Sequence, residues 1–364
     1  MSDSEIFAES YAGARVKFIE ACRALSVTAA SHAHPLPGPD GGPLTMEVAR
    51  LGPAGCSRVL VVCSGTHGVE GFCGSAAQVA CLRSRPSLPE DCAVVLVHAL
   101  NPHGFAWQRR VNEESIDLNR NFIDFSRPLP ANPGYDELAD AICPASLEAE
   151  AFAAAQNRLD AYGARHGYQA LIAAMISGQY SHPQGLFYGG TAPAWSNRTF
   201  RGVLDEQLKG ARRVAYLDLH TGYGAKGEIE PLGSHPAESA AHRRLEAWLG
   251  RPTQPSGNPA DGFPDTSGDT VQALFDTLGE GAELTAACIE FGTESEEVVF
   301  DALRRENWLF HQGPKDTDLA QAIRAELLDA FAPPERWWRQ AVEEQAVPLL
   351  DGVLRGLASP LEGN

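Results

Sequence analysis

The chain has 364 residues and a net charge of −18, from 29 Lys plus Arg against 47 Asp plus Glu. With 44% hydrophobic and 21% charged residues it has ample material for a core, which excludes global disorder. An acidic chain without a basic run is a poor match for nucleic acid or an anionic membrane surface.

No stretch reaches the roughly 20 apolar residues of a membrane helix, and the first residues lack the basic-then-apolar pattern of a secretory signal. The expected location is the cytoplasm. The eight cysteines, at 22, 56, 63, 73, 81, 92, 143 and 288, contain no CxxC pair and read as free thiols.

Four short apolar runs each end in a polar tail, which fits strands buried on both faces of a parallel or mixed sheet. They are Arg58–Cys63 into Ser-Gly-Thr-His-Gly, Ala93–His98 into Ala-Leu-Asn-Pro, Val214–Asp218 into Leu-His-Thr-Gly, and Leu284–Ile289 into Glu-Phe-Gly-Thr. Ala170–Ile176 is a fifth strand candidate. Helical patterns cover 74–84, 146–166 with Ser146 as N-cap, 194–209, 236–250 and 269–278. Beyond about 296 the pattern is helical only: Asp318–Ala330, a break at Pro333-Pro334, then Glu335–Leu357. The Gly- and Pro-rich stretches 35–43 and 251–268 read as inserted loops. This alternation predicts one α/β domain over 1–364, a mixed, mostly parallel central sheet flanked by helices, with a helical C-terminal segment at about 296–364.

Ligands of open α/β sheets sit beyond the carboxyl ends of the strands, where His67, Asn101, His220 and Glu290 fall. His67 and Glu70 lie three residues apart, so on one helical turn both can reach a single metal ion; a surface polar pair is the alternative. The polar segment 101–122 carries three arginines, suited either to binding a carboxylate or oxyanion or to pairing with Glu113, Glu114 and Asp117. His220 closes a strand, with Asp218 two residues earlier on the same side as a candidate partner for its ring. Glu290 brings a carboxylate to the end of an apolar strand, costly unless it is paired or used.

In this order, the motifs resemble the zinc metallocarboxypeptidase superfamily, the carboxypeptidase A-like fold that also includes aspartoacylase and succinylglutamate desuccinylase. Arg110-Val-Asn-Glu-Glu-Ser-Ile-Asp-Leu-Asn119-Arg120-Asn-Phe is similar to its R-x-N-x3-[VI]-D-L-N-R-N-F pattern. The motifs run from about 60 to 295, and the resemblance is strongest to a little-characterised bacterial branch.

It implies one Zn2+ per chain on His67, Glu70 and His220, with an open position for water. Glu290 would take the proton of that water, Arg110 would face the oxyanion, and Asn119 with Arg120 would grip a substrate carboxylate. The implied activity is hydrolysis of an amide next to a free carboxylate, in small peptides or modified amino acids. N-acyl amino acid deacylation at the same site is the alternative, and a non-catalytic metal- or peptide-binding protein is a more distant one. Arg109 competes with Arg110, and Glu294 is the next candidate base.

The helical tail departs from aspartoacylase-type members, which carry a C-terminal β-rich domain. No motif assigns a substrate-covering tyrosine among Tyr180, Tyr188 and Tyr223. His98 and His103 read as structural, His182 is a candidate pocket residue, and the run 185–190 is either a substrate-facing loop or a structural turn. There is no Gly-x-Ser-x-Gly elbow and no Gly-x-Gly-x-x-Gly after the first strand.

Overall fold

In the computed structural model, residues 6–255, 268–279 and 281–359 are described. Most of the predicted inserted loop 251–268 therefore lies outside the described residues.

Seven strands form one sheet: β1 (Ala30–Pro37), β2 (Pro43–Leu51), β3 (Arg58–Ser64), β4 (Cys92–His98), β5 (Arg213–Thr221), β6 (Ile229–Gly233) and β7 (Glu283–Phe291). Their spatial order is β1-β2-β4-β3-β5-β7-β6. The four inner strands β4, β3, β5 and β7 run parallel, and β1, β2 and β6 complete the edges antiparallel. The inner strands are the four runs read from sequence, apolar throughout because helices cover both faces.

Alternation splits each strand between two cores. Leu60, Val62, Leu96, Leu217 and Ile289 pack in one core with residues of helices Tyr11–Ala24, Gly71–Ser84 and Arg336–Ala358. Val59, Val61, Val95, Tyr216 and Ala286 pack in the other with residues of Trp195–Gln207 and Val271–Leu278. The predicted C-terminal helices are present, and they close the fold: the fully buried Trp338 donates its indole N–H to the carbonyl of Gly292, just past β7.

Three expectations are corrected. Ala170–Ile176 is not a strand but part of helix Tyr168–Ile176, which packs on Pro133–Ile142 and Ala149–His166 in a separate helical core. A seven-residue apolar run does not separate a buried strand from a packed helix. Second, the stretch 35–43 is not an inserted loop. Residues 35–37 end β1 and 38–42 are the turn of an antiparallel hairpin, whose edge strand β1 is mostly exposed and holds two prolines, so it carries no apolar pattern. Ser146 does not cap the next helix, which runs Ala149–His166 with Glu148 at the N-cap. No helix among the described residues is long and apolar enough to cross a membrane.

Candidate active site

Beyond the carboxyl end of β3 the chain turns at His67 into a single 3-10 turn, Gly68–Glu70, that leads into helix Gly71–Ser84. This turn is pressed against the next polar segment: the N–H groups of Gly68 and Val69 donate to the carbonyls of Arg110 and Arg109. Any Cβ at position 68 would lie 1.9 Å from the carbonyl carbon of Gly104, so only glycine permits that approach. The spacing thus delivers His67 and Glu70 to one side, as their separation of three residues predicts.

In β5 and β7 the register sets His220 opposite Glu290 and Asp218 opposite Cys288. All four side chains line one cleft of about 1080 Å³, together with His67, Arg110, Asn119 and Arg120. Nδ1 of His67 and Nδ1 of His220 lie 3.2 Å apart, and each is 2.8 Å from an oxygen of Glu70. A tetrahedral ion held by two nitrogens at about 2.0–2.1 Å sets them about 3.3 Å apart, so the pair fits zinc.

The remaining ring nitrogens are also engaged. Nε2 of His67 meets Asp117 at 3.1 Å, and Nε2 of His220 meets Asp218 at 2.9 Å. Asp218 is itself held by the hydroxyls of Thr66 and Thr270. Carboxylates placed this way fix ring orientation and leave Nδ1 free to ligate, as expected of a divalent-metal site. His67, Glu70 and His220 therefore form one set of residues that can hold a metal.

Burial raises the pKa of Glu70, but the imidazoles of His67 and His220 outweigh it and hold the carboxyl well below the usual range. Asp117 is likewise held down by Arg110 and His67 against its burial. For His220 burial favours the neutral ring, yet Asp218 and Glu70 together raise its pKa well above the usual value. A dication arriving at this centre replaces that proton.

Glu290 differs from the other carboxylates. It is 8% exposed, its Oε2 is buried with no partner among the described residues, and its Oε1 accepts only a 3.7 Å contact from the Cys288 thiol. Burial and the neighbouring Glu70 push its carboxyl up to about 7, against the pull of His220, His67 and Arg110. A carboxyl poised there can accept and return a proton at neutral pH.

The two adjacent arginines separate cleanly. Arg109 turns away, paired with Glu306 at 2.6 Å and with its guanidinium 3.3 Å above the Phe310 ring. Arg110 lines the cleft, its Nε on Asp117 at 3.0 Å and its Nη1 on Glu70 at 3.1 Å. This leaves its Nη2 without a hydrogen-bond partner among the described residues. One of the ion pairs offered as the alternative reading, Arg110 with Asp117, thus exists inside the site.

Arg120 is 5% exposed, and no carboxylate forms an ion pair with it among the described residues. Its Nη1 and Nη2 donate to the carbonyls of Asn119 and Ile176, while its Nε is buried and unpartnered. A desolvated guanidinium clamped only by carbonyls is a ready receptor for an anion. Asn119 stands beside it, its Nδ2 3.4 Å from Nε2 of His220.

Other candidates lie elsewhere. Glu294 pairs with Lys226 at 2.6 Å. His98 is bonded to Ser75, and burial pushes its pKa down to about 3. His103 stacks on Trp107, and His182 pairs with Asp136 on the surface. No tyrosine occurs among the described residues lining the cleft. The run 185–190 is structural: Phe187 backs the guanidinium groups of Arg110 and Arg120 at 5.5 and 5.8 Å. Sequence reasoning missed Asp117 as the partner of His67, although its place in the Asp-Leu-Asn-Arg pattern was the available signal, and it missed Cys288 inside the cleft.

A model of the family described as "Protein of unknown function (DUF2817)" matches residues 7–345. The chain belongs to this family. No curated protein matches it in sequence. Among solved structures it is similar to bovine thrombin-activatable fibrinolysis inhibitor, crystallised with tick carboxypeptidase inhibitor, at 14% identity over 95% of this chain and 99% of that one, with a TM-score of 0.49. It is similar to carboxypeptidase A from Helicoverpa armigera at 15% identity over 90% and 75% of the two chains, TM-score 0.48. It is also similar to the succinylglutamate desuccinylase from Chromobacterium violaceum, at 16% identity over 87% and 74%, TM-score 0.37.

Proposed function

We propose that this chain is a zinc-dependent hydrolase that cleaves an amide bond beside a free carboxylate, either a C-terminal peptide bond or the amide of an N-acyl amino acid. The observation that carries this reading is the unpaired, buried carboxyl of Glu290 facing the cleft beside the converging donors of His67, Glu70 and His220. A structural metal centre has no use for a carboxyl kept neutral-poised and without a partner.

His67, Glu70 and His220 would hold the zinc, which would supply Lewis acidity toward the scissile carbonyl and toward water. Glu290 takes the proton of the attacking water on a carboxylate oxygen and then passes it to the leaving amine. The free Nη2 of Arg110 donates to the oxygen that gains negative charge, and Asp117 and Glu70 hold its guanidinium in place for that task. Asn119 and Arg120 receive the carboxylate next to the scissile bond, Arg120 through its unpartnered Nε and the remaining N–H groups.

The test separates metal binding from proton transfer. Glu290→Gln is expected to retain one zinc per chain by metal analysis and to lose at least about 100-fold in turnover, the lower range for a general base. A fully active variant would refute the role of Glu290.

A further inference from the structure

The hydrolysis derived above makes no use of Cys288. Its thiol lines the cleft two residues before Glu290 on the same face of β7. Sγ stands 3.7 Å from Oε1 of Glu290, and a ring nitrogen of His220 completes a set of three donors all within 4.8 Å of one another. A tetrahedral ion bound at about 2.3 Å by sulfur and about 2.1 Å by oxygen separates those two ligands by about 3.6 Å. The second carboxylate oxygen of Glu290 is buried and unpartnered, so the carboxyl offers a donor that the protein itself does not satisfy.

We infer that Cys288, Glu290 and His220 form a second metal site beside the first, one that takes soft, thiophilic divalent cations such as Cd2+. Thiolate ligands select soft ions, whereas the nitrogen and oxygen donors of His67 and Glu70 do not. The acidic surroundings, Asp218, Glu70 and Glu290, draw a dication of either kind. His220 belongs to both donor sets, so two ions drawn to the same ring nitrogen would exclude each other. Binding forms a metal–sulfur bond, releases the thiol proton to solvent and transfers no electrons. Occupancy engages the carboxyl of Glu290, so these ions inhibit hydrolysis; that consequence alone rests on the function proposed above.

Titrating the chelator-treated, full-length protein with Cd2+ alone tests the site directly, read by the sulfur-to-metal charge-transfer band in the ultraviolet. The wild type is expected to show a band that saturates at one thiolate per chain. Cys288→Ser and Cys288→Ala, checked for folding by their melting curves, lose it. His67→Ala, which dismantles the first site, keeps it, and Glu290→Gln needs about tenfold or more Cd2+ to reach it. An undiminished band in both Cys288 variants would assign the ligand to another cysteine and overturn the inference. Loss of the band in a folded His67→Ala would do the same, because the thiol would then only supplement the first site. No band in the wild type overturns it outright. A band without hydrolysis of any amide would sink the proposed function and leave this site standing, and hydrolysis without a band would do the reverse.

Discussion

Replacing Glu290 by Gln should stabilise the fold above neutral pH while cutting activity by at least about 100-fold. In the folded chain the carboxyl is buried, and its pKa rises from the ordinary 4.5 to about 7. Between those values the unfolded chain ionises this group while the folded chain keeps the proton. Folding therefore loses stability as pH rises through that window, and the loss is complete above about pH 7. A rise of that size corresponds to about 3 kcal/mol. Gln keeps the shape and removes the charge, so the variant escapes this cost. For a chain of this length the gain amounts to about 4 °C in melting temperature at pH 8. At pH 5 the same difference shrinks to under about 1 kcal/mol. The assay is thermal melting of chelator-treated wild type and variant at both pH values. Comparing the two pH values cancels whatever the new amide gains or loses by hydrogen bonding. An equal difference at pH 5 and pH 8, or a variant less stable at pH 8 than at pH 5 relative to wild type, would refute the reasoning.

Three further perturbations follow from the geometry. Asp117→Asn removes the carboxylate that orients His67 and anchors Arg110, and should lower zinc affinity about 10- to 100-fold in a competition titration with a chelator. Arg120→Gln should cut kcat/KM for a substrate with a free carboxylate by about 10- to 100-fold, since a charged hydrogen bond contributes about 1.5–3 kcal/mol, and should leave the amidated analogue unchanged; equal losses on both would remove Arg120 from carboxylate binding. Gly68→Ala forces a Cβ onto the Gly104 backbone and should destabilise the fold by about 3 kcal/mol, measured by denaturant unfolding.

The parts of this molecule legible in its sequence are those where burial imposes a pattern. The inner strands β3, β4, β5 and β7 are apolar throughout because both faces are covered, and each delivers its polar tail to one end of the sheet. Strand ends and a three-residue spacing put His67, Glu70, His220 and Glu290 at one end of the sheet, while their joint role came only from the resemblance. Edge strands β1 and β6 were not legible, since β1 is exposed along nearly its whole length and prolines interrupt the apolar pattern in both. Helix Tyr168–Ile176 was misread because packing against two other helices gives it the composition of a strand. The rivalry between Arg109 and Arg110 depends on Glu306, nearly two hundred residues away, and no local pattern contains that contact.

The proposed reaction is amide hydrolysis beside a carboxylate at a zinc centre served by Glu290. Its most direct test is a mass-spectrometric screen of the zinc-loaded protein against short peptides and N-acyl amino acids, each with and without a free carboxylate, with Glu290→Gln as the control. Cleavage is expected only of substrates with the free carboxylate, dependent on zinc and absent in the variant: stepwise loss of the C-terminal residue marks a carboxypeptidase, and release of the acyl group from acyl amino acids alone marks a deacylase. Cleavage that ignores the carboxylate, or that persists in Glu290→Gln, would contradict the proposed reaction.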